Sequence, residues 1–157
     1  MKMFFKTFKM ESNVIRVTKR FTFEMAHALY NYDGNCKFLH GHSYKMYVTL
    51  KGHVKSDIGN PKDGMVCDFS VLKKIVNEKI VDVYDHALVL NENDKNINLL
   101  KELNERTIVF PVQPTCENLM IHFKNEIQQV LPKELTLAKI TLYETEGSYA
   151  EWDVNDQ

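Results

Sequence analysis

The chain has 157 residues, 44% hydrophobic and 26% charged, with a formal net charge of −1 at pH 7. That balance describes one globular domain with room for a single core. It offers no basic excess for nucleic acid, no acidic tail, and no apolar run near the roughly 20 residues of a membrane span.

Residues 1–14 are rich in Phe and Met but broken by Lys2, Lys6 and Lys9. They lack the continuous apolar stretch of a secretory signal, so they read as an N-terminal extension or extra edge strand ahead of a single domain over 15–157. Residues 15–27 alternate in the manner of a strand, with Phe21, Phe23 and Met25 on one face and His27 continuing that row. A polar loop, Asn31 to Asn35, leads into Cys36-Lys37-Phe38-Leu39-His40-Gly41-His42. A second strand over 42–54 places Tyr44, Met46, Val48 and Leu50 on the histidine face and completes an expected antiparallel pair.

The turn cluster of residues 59–64 separates these strands from a helix capped by Asp68 or Ser70. Leu72, Ile75, Val76, Ile80 and Val83 follow helical spacing, and the helix end delivers Tyr84-Asp85-His86. A polar loop over 91–98, a short helical turn at 99–103 and an extended piece at 107–110 follow. Thr115 is the expected N-cap of a second helix, with Glu117 near the positive end of its dipole. Leu119, Met120, Phe123, Ile127, Val130 and Leu131 form its apolar stripe, and Pro132 ends it. A last strand sets Ala138, Ile140, Leu142 and Glu144 on one face. Strands at both ends with two amphipathic helices between them predict an α+β fold, an antiparallel sheet covered on one face by helices.

His40 and His42 are two residues apart on a strand, so both imidazoles project to one side and can share a metal ion. His27 ends the inner row of the neighbouring strand and converges on the same point. Three imidazoles without a fourth protein ligand are the arrangement of a catalytic zinc that keeps one position open. A single histidine at a strand end is ordinarily just a polar terminus; three on converging rows weigh against that. Cys36 leads directly into the ligands, where a nearby cation would favour its thiolate. Cys67 and Cys116 read as small buried hydrophobes. With three widely spaced cysteines and no Cys-x-x-Cys pair, a reducing, cytoplasmic setting is expected.

Asp85-His86 offers a carboxylate that can orient an imidazole proton carrier, or an ordinary helix terminus. Glu144 ends an apolar strand face, where a carboxylate needs a donor pair; a guanidine-like edge would satisfy it in bidentate fashion. Glu146 and Glu151 read as exposed, and His53 and His122 as structural or solvent-facing.

Six segments together resemble the 6-pyruvoyltetrahydropterin synthase superfamily. They are Phe-Thr-Phe-Glu-Met-Ala-His (21–27), Cys-x-x-x-His-Gly-His (36–42), Met-Val-x-Asp-Phe (65–69), Asp-His (85–86), Pro-Thr-x-Glu-Asn (114–118) and Tyr-Glu-Thr (143–145). The three residues between Cys36 and His40 are most similar to the bacterial 6-carboxytetrahydropterin synthases of queuosine biosynthesis. The resemblance implies a T-fold: a four-stranded antiparallel sheet with two helices on one face, joined edge to edge into a β-barrel oligomer, typically a hexamer, with active sites between subunits. It implies Zn2+ on His27, His40 and His42, Cys36 as the base, Asp85 and His86 as its acid/base partners, and Glu144 and Thr115 as pterin contacts. The implied reaction converts 7,8-dihydroneopterin triphosphate to 6-carboxy-5,6,7,8-tetrahydropterin, releasing triphosphate and acetaldehyde. A pyruvoyl-forming synthase, a non-catalytic zinc or pterin binder, and a three-histidine zinc hydrolase are the rival readings. Cys116, at a helix start where a small polar or apolar residue is expected, and the extension depart from the pattern.

Overall fold

A computed structural model describes residues 13–156. The expected antiparallel pair is present and longer than predicted, as β1 (Val14–Ala28) and β2 (His40–His53). The two strands run in one unbroken register from Val14 opposite His53 to His27 opposite His40. Their alternation sorts the side chains as the sequence predicts: Phe23, Met25, Tyr44, Met46, Val48 and Leu50 are buried, whereas Thr22, Glu24 and Ser43 are exposed. The extension assigned to residues 1–14 lies outside the described residues apart from Asn13 and Val14. Val14 opens β1, and the Asn13 carbonyl accepts a hydrogen bond from the Val54 N–H.

Asp68 is the cap of the first helix, its carboxylate accepting from the Ser70 N–H at 2.9 Å. Helix α1 (Phe69–Val76) passes through a π turn (Asn77–Val81) into the short α2 (Asp82–Tyr84). The wider turn shifts the helical phase by a residue. Ile80 and Tyr84 therefore share the buried face, and Val83, expected there, is 43% exposed.

Among the described residues the sheet has six strands rather than four and is mixed rather than antiparallel, in the order β4-β3-β1-β2-β5-β6. The added strands are β3 (Ala87–Asn91), parallel to β1, and β4 (Thr107–Phe110), parallel to β3. All five β3 residues are buried. Such a strand shows no alternation, which is why period-two reading misses it. Helix α3 (Ile97–Leu103) packs through Ile97 and Leu100 onto Leu88, Leu90 and Ala28, making a small second core. Helices thus cover both faces near β3, while α1 and α4 (Cys116–Val130) share the main core with β1, β2 and β5.

Thr115 caps α4, accepting from the Asn118 N–H at 3.4 Å. Leu119, Met120, Phe123 and Ile127 are buried as expected, but Val130, in the last turn, is 40% exposed. Strand β5 (Thr136–Thr145) pairs with β2 and turns back into an additional strand, β6 (Ser148–Asp153). The β5–β6 register shifts between Tyr143 and Thr145, so Glu144 stands at a bulge. Bulges re-aim side chains, and this one is at the same end of the sheet as the histidines. No helix among the described residues is long and apolar enough to cross a membrane.

Candidate metal centre and active-site cleft

The β1–β2 register places His27 directly opposite His40, and His42 opposite Met25 two positions further along the same face. The three ring centroids lie 4.6, 5.2 and 4.8 Å apart, His42 meeting the other two edge to face and His27 and His40 tilted at 49°. One nitrogen from each can be chosen so that all lie within 4.8 Å of one another.

Hydrogen bonding decides which nitrogens those are. A carbonyl only accepts, so His27 must carry its proton on Nδ1, 2.7 Å from the Pro114 carbonyl, and His40 on Nδ1, 2.8 Å from that of Phe38. In their neutral forms both Nε2 atoms then bear lone pairs, yet they face each other at 3.2 Å. Two acceptors so close repel unless a proton or a cation lies between them. The Nε2 of His42 is buried with no hydrogen-bond partner. Zinc–nitrogen bonds of about 2.0–2.1 Å at tetrahedral angles put ligand nitrogens roughly 3.3 Å apart, close to the His27–His40 spacing. The donor set and its backbone partners fit a zinc ion.

Burial lowers the pKa of His27 against opposing contributions from the Pro114 carbonyl and Glu144, and burial also lowers that of His42. Both are therefore held neutral, the form that binds metal. Glu144 Oε1 stands 3.6 Å from His27 Nε2 and 3.9 Å from His42 Nε2, and accepts a hydrogen bond from the Tyr44 hydroxyl at 3.2 Å. Tyr44 is fully buried, and burial together with the carboxylate pushes its pKa far up, so it remains a donor. Tyr44 reads as a core aromatic in the sequence; its cross-strand position facing Glu144 emerges only from the β2–β5 register.

Of these groups, His27 and Glu144 open into a cleft of ≈ 310 Å³, whose lining also includes Tyr32, Cys36, Thr115 and Cys116. Cys36 is half-buried in a 3₁₀ turn (Asn35–Lys37), and its carbonyl accepts from the Leu29 N–H at 2.9 Å, closing the neck of the loop. The Tyr32 ring lies over Gly34, where a Cβ would come within 2.6 Å of it, so glycine keeps that wall in place. Cys116 does add a second thiol to the cleft. Its Sγ donates to the Leu142 carbonyl at 3.3 Å, and burial pushes its pKa up to about 11, leaving it a neutral donor. Glu117 and Tyr149, not singled out in the sequence as cleft residues, line the same space.

Asp85 and His86 are not brought into this cleft within the chain. They line a separate hollow with Val81, Asp82 and Arg106. His86 also borders a hollow of ≈ 330 Å³ whose lining includes Glu24, Gly41 and Ser43 of the opposite sheet face and His42 of the imidazole cluster. Two hydrogen bonds fix the pair to β1: the Glu24 N–H donates to Asp85 Oδ1 at 2.9 Å, and the His86 N–H donates to the Glu24 carbonyl at 2.6 Å. The first of these is the main influence lowering the Asp85 pKa, reinforced by His86. His86 Nδ1 lies 3.0 Å from Asp85 Oδ2, and its backbone takes a φ of +61°, uncommon for a residue with a Cβ. The imidazole is presented outward, 72% exposed.

The mixed sheet with its three converging imidazoles is the fold of a known enzyme family. The family model of 6-pyruvoyl tetrahydropterin synthase matches residues 16–155, and the chain belongs to that family. The 6-carboxy-5,6,7,8-tetrahydropterin synthase of Haemophilus influenzae is 36% identical over 143 residues, covering 88% of this chain and 99% of that protein. The 6-pyruvoyl tetrahydrobiopterin synthase of Homo sapiens is 29% identical over 145 residues, covering 85% and 87%. Among solved structures, the 6-pyruvoyl tetrahydropterin synthase of Caenorhabditis elegans superposes with a TM-score of 0.64 at 26% identity, over 92% of this chain and 99% of that one. A protein of Wolinella succinogenes shares the fold with a TM-score of 0.75 at 20% identity, over 91% and 99%.

Proposed function

We propose that this chain is a zinc-dependent carbon–carbon lyase. It would convert 7,8-dihydroneopterin triphosphate to 6-carboxy-5,6,7,8-tetrahydropterin, with release of acetaldehyde and triphosphate, in the cytoplasmic queuosine pathway. The observation that carries the proposal is the convergence of three metal-competent imidazoles, one of which, His27, shares a cleft with Cys36 and Glu144. The choice of the carboxy branch is supported by the three-residue spacing between Cys36 and His40 and by 36% identity to the Haemophilus influenzae protein over almost its whole length.

In this reading His27, His40 and His42 hold zinc, which supplies a Lewis acid to the side-chain oxygens of the substrate. Cys36 removes a proton from the substrate side chain. Glu144 receives the pterin ring N–H and exocyclic amine, one oxygen steadied by Tyr44. The Thr115 oxygen accepts from the backbone of α4, and its O–H remains available to donate to the pterin. No redox cofactor is required, because the ring is reduced at the expense of its own side chain.

Asp85 and His86 complete the site from an adjoining subunit. His86 Nδ1–H donates to Asp85, leaving Nε2 to carry a proton to or from the reacting groups. The sheet is open for such an assembly. Among the described residues, β3 pairs with β1 only over Met25–Ala28 and β6 is an edge strand, so the antiparallel core β1-β2-β5-β6 retains two free borders. Edge-to-edge joining of these cores gives the barrel of a homohexamer.

Incubating the zinc-loaded protein with 7,8-dihydroneopterin triphosphate tests the reading by product mass. We expect 6-carboxytetrahydropterin and stoichiometric acetaldehyde. A 6-pyruvoyl product without acetaldehyde would transfer the chain to the branch of its human relative. Unchanged substrate would remove it from both.

A further inference from the structure

We propose that Gln113 is a positioning residue whose side-chain amide locks the Cys36 loop against the segment that orients His27. The inference deepens the reading above and rests on it for its kinetic arm alone. Gln113 is half-buried, immediately before Pro114-Thr115. Its Oε1 accepts from the Tyr30 N–H at 3.0 Å, and its Nε2 donates to the Tyr30 carbonyl. One side chain thus satisfies both backbone groups of one residue, as a neighbouring strand would.

Each side of this clamp leads to a functional group. On the helix side, the Gln113 carbonyl accepts from Asn118 Nδ2 at 2.9 Å, which ties it to the first turn of α4. The next carbonyl, that of Pro114, holds the Nδ1 proton of His27. On the loop side, the backbone hydrogen bonds are internal: Leu29 to Cys36, Tyr32 to Leu29, Lys37 to Gly34 and Phe38 to Asn35. Internal bonds give the loop its shape but not its position against the rest of the cleft. The Phe38 carbonyl ties the end of the loop to His40, and Gln113 supplies the link to the α4 side, so the distance from Cys36 to the His27 side of the cleft depends on its amide. No sequence motif marks the residue, because its role is set by a contact between positions 83 apart.

Gln113→Met tests this, since methionine keeps the length and apolar volume of the side chain and removes both hydrogen bonds. In the zinc-loaded variant we expect zinc content to match the parent and the melting midpoint to fall by only about 3–6 °C. Alkylation of Cys36 by iodoacetamide should be about tenfold faster, as the loop leaves its seat more often. Turnover should fall about tenfold to a hundredfold in kcat with KM within about twofold, the signature of a misplaced reacting group. Parental alkylation and kcat would overturn the proposal, and so would losses that merely follow zinc loss or global unfolding at the assay temperature. If the parent does not turn over the pterin, the functional reading fails, and the alkylation rate still decides the role of Gln113.

Discussion

Two parts of the molecule carry candidate chemistry, and they are built in opposite ways. At the end of the inner sheet face, His27, His40, His42, Glu144 and Tyr44 are held by strand register, backbone carbonyls and burial, and they face one another. At the Asp85–His86 corner the backbone is fixed just as firmly, by two hydrogen bonds to Glu24, yet the imidazole is largely exposed and lies outside the Cys36 cleft. The first region is assembled within one chain; on the proposed reading, the second meets its partner groups in an adjoining subunit. A firmly held but outward-facing acid/base pair is what an active site shared between subunits requires of each subunit.

The largest effect should come from removing a ligand from the self-contained region. His42 is partly exposed and its Nε2 has no hydrogen-bond partner, so His42→Ala removes a metal donor with little disturbance to packing. We expect zinc affinity to fall more than about a hundredfold, beyond the loss typical of outer-sphere changes, with the fold retained by circular dichroism. Undiminished zinc binding would mean that the three rings are not a metal site.

Glu144→Gln separates anchoring from ligation. A lost charge-assisted pair is worth about 2 kcal/mol, so KM should rise roughly thirtyfold while zinc content stays whole. Because Glu144 Oε1 lies within 4 Å of two histidines, zinc loss in this variant would instead make it a fourth ligand.

A smaller effect is expected from pH. Burial holds the folded-state pKa of His27 and His42 below 6.5, so the unfolded chain binds more protons in that range. The histidine contribution to stability should be fully present above pH 6.5 and be lost as pH falls towards the folded-state values. Urea unfolding of the metal-free protein at several pH values reads this. A transition that strengthens on acidification through that window would reverse the assignment.

Much of the self-contained region was legible in the sequence, because alternation alone puts His40, His42, Tyr44 and Met46 on one face and His27 on the facing row. The number of strands was not. β3 is an apolar run without alternation, and β4 joins only through β3, so both depend on parallel pairings between distant segments. The π turn that exposes Val83 and buries Tyr84 has no spacing signature beforehand. Asp85-His86 was recognisable as a dyad, but the direction it faces follows from the positive φ of His86 and its anchoring to Glu24, which are tertiary facts. Gln113 was invisible for the same reason.

The contrast between the two regions comes to a single test. Cys36→Ala and His86→Ala are each expected to be inactive alone, because each lacks a different half of the site. Dissociated, mixed in equal amounts and reassembled, the two variants should regain roughly a quarter of parental turnover, since a site that draws one half from each of two subunits receives both intact halves in about one case in four. Recovery of that size is the result expected of a cleft completed across subunits. Mixed assemblies that form but remain inactive would contradict it, and would place the whole of the chemistry within one chain.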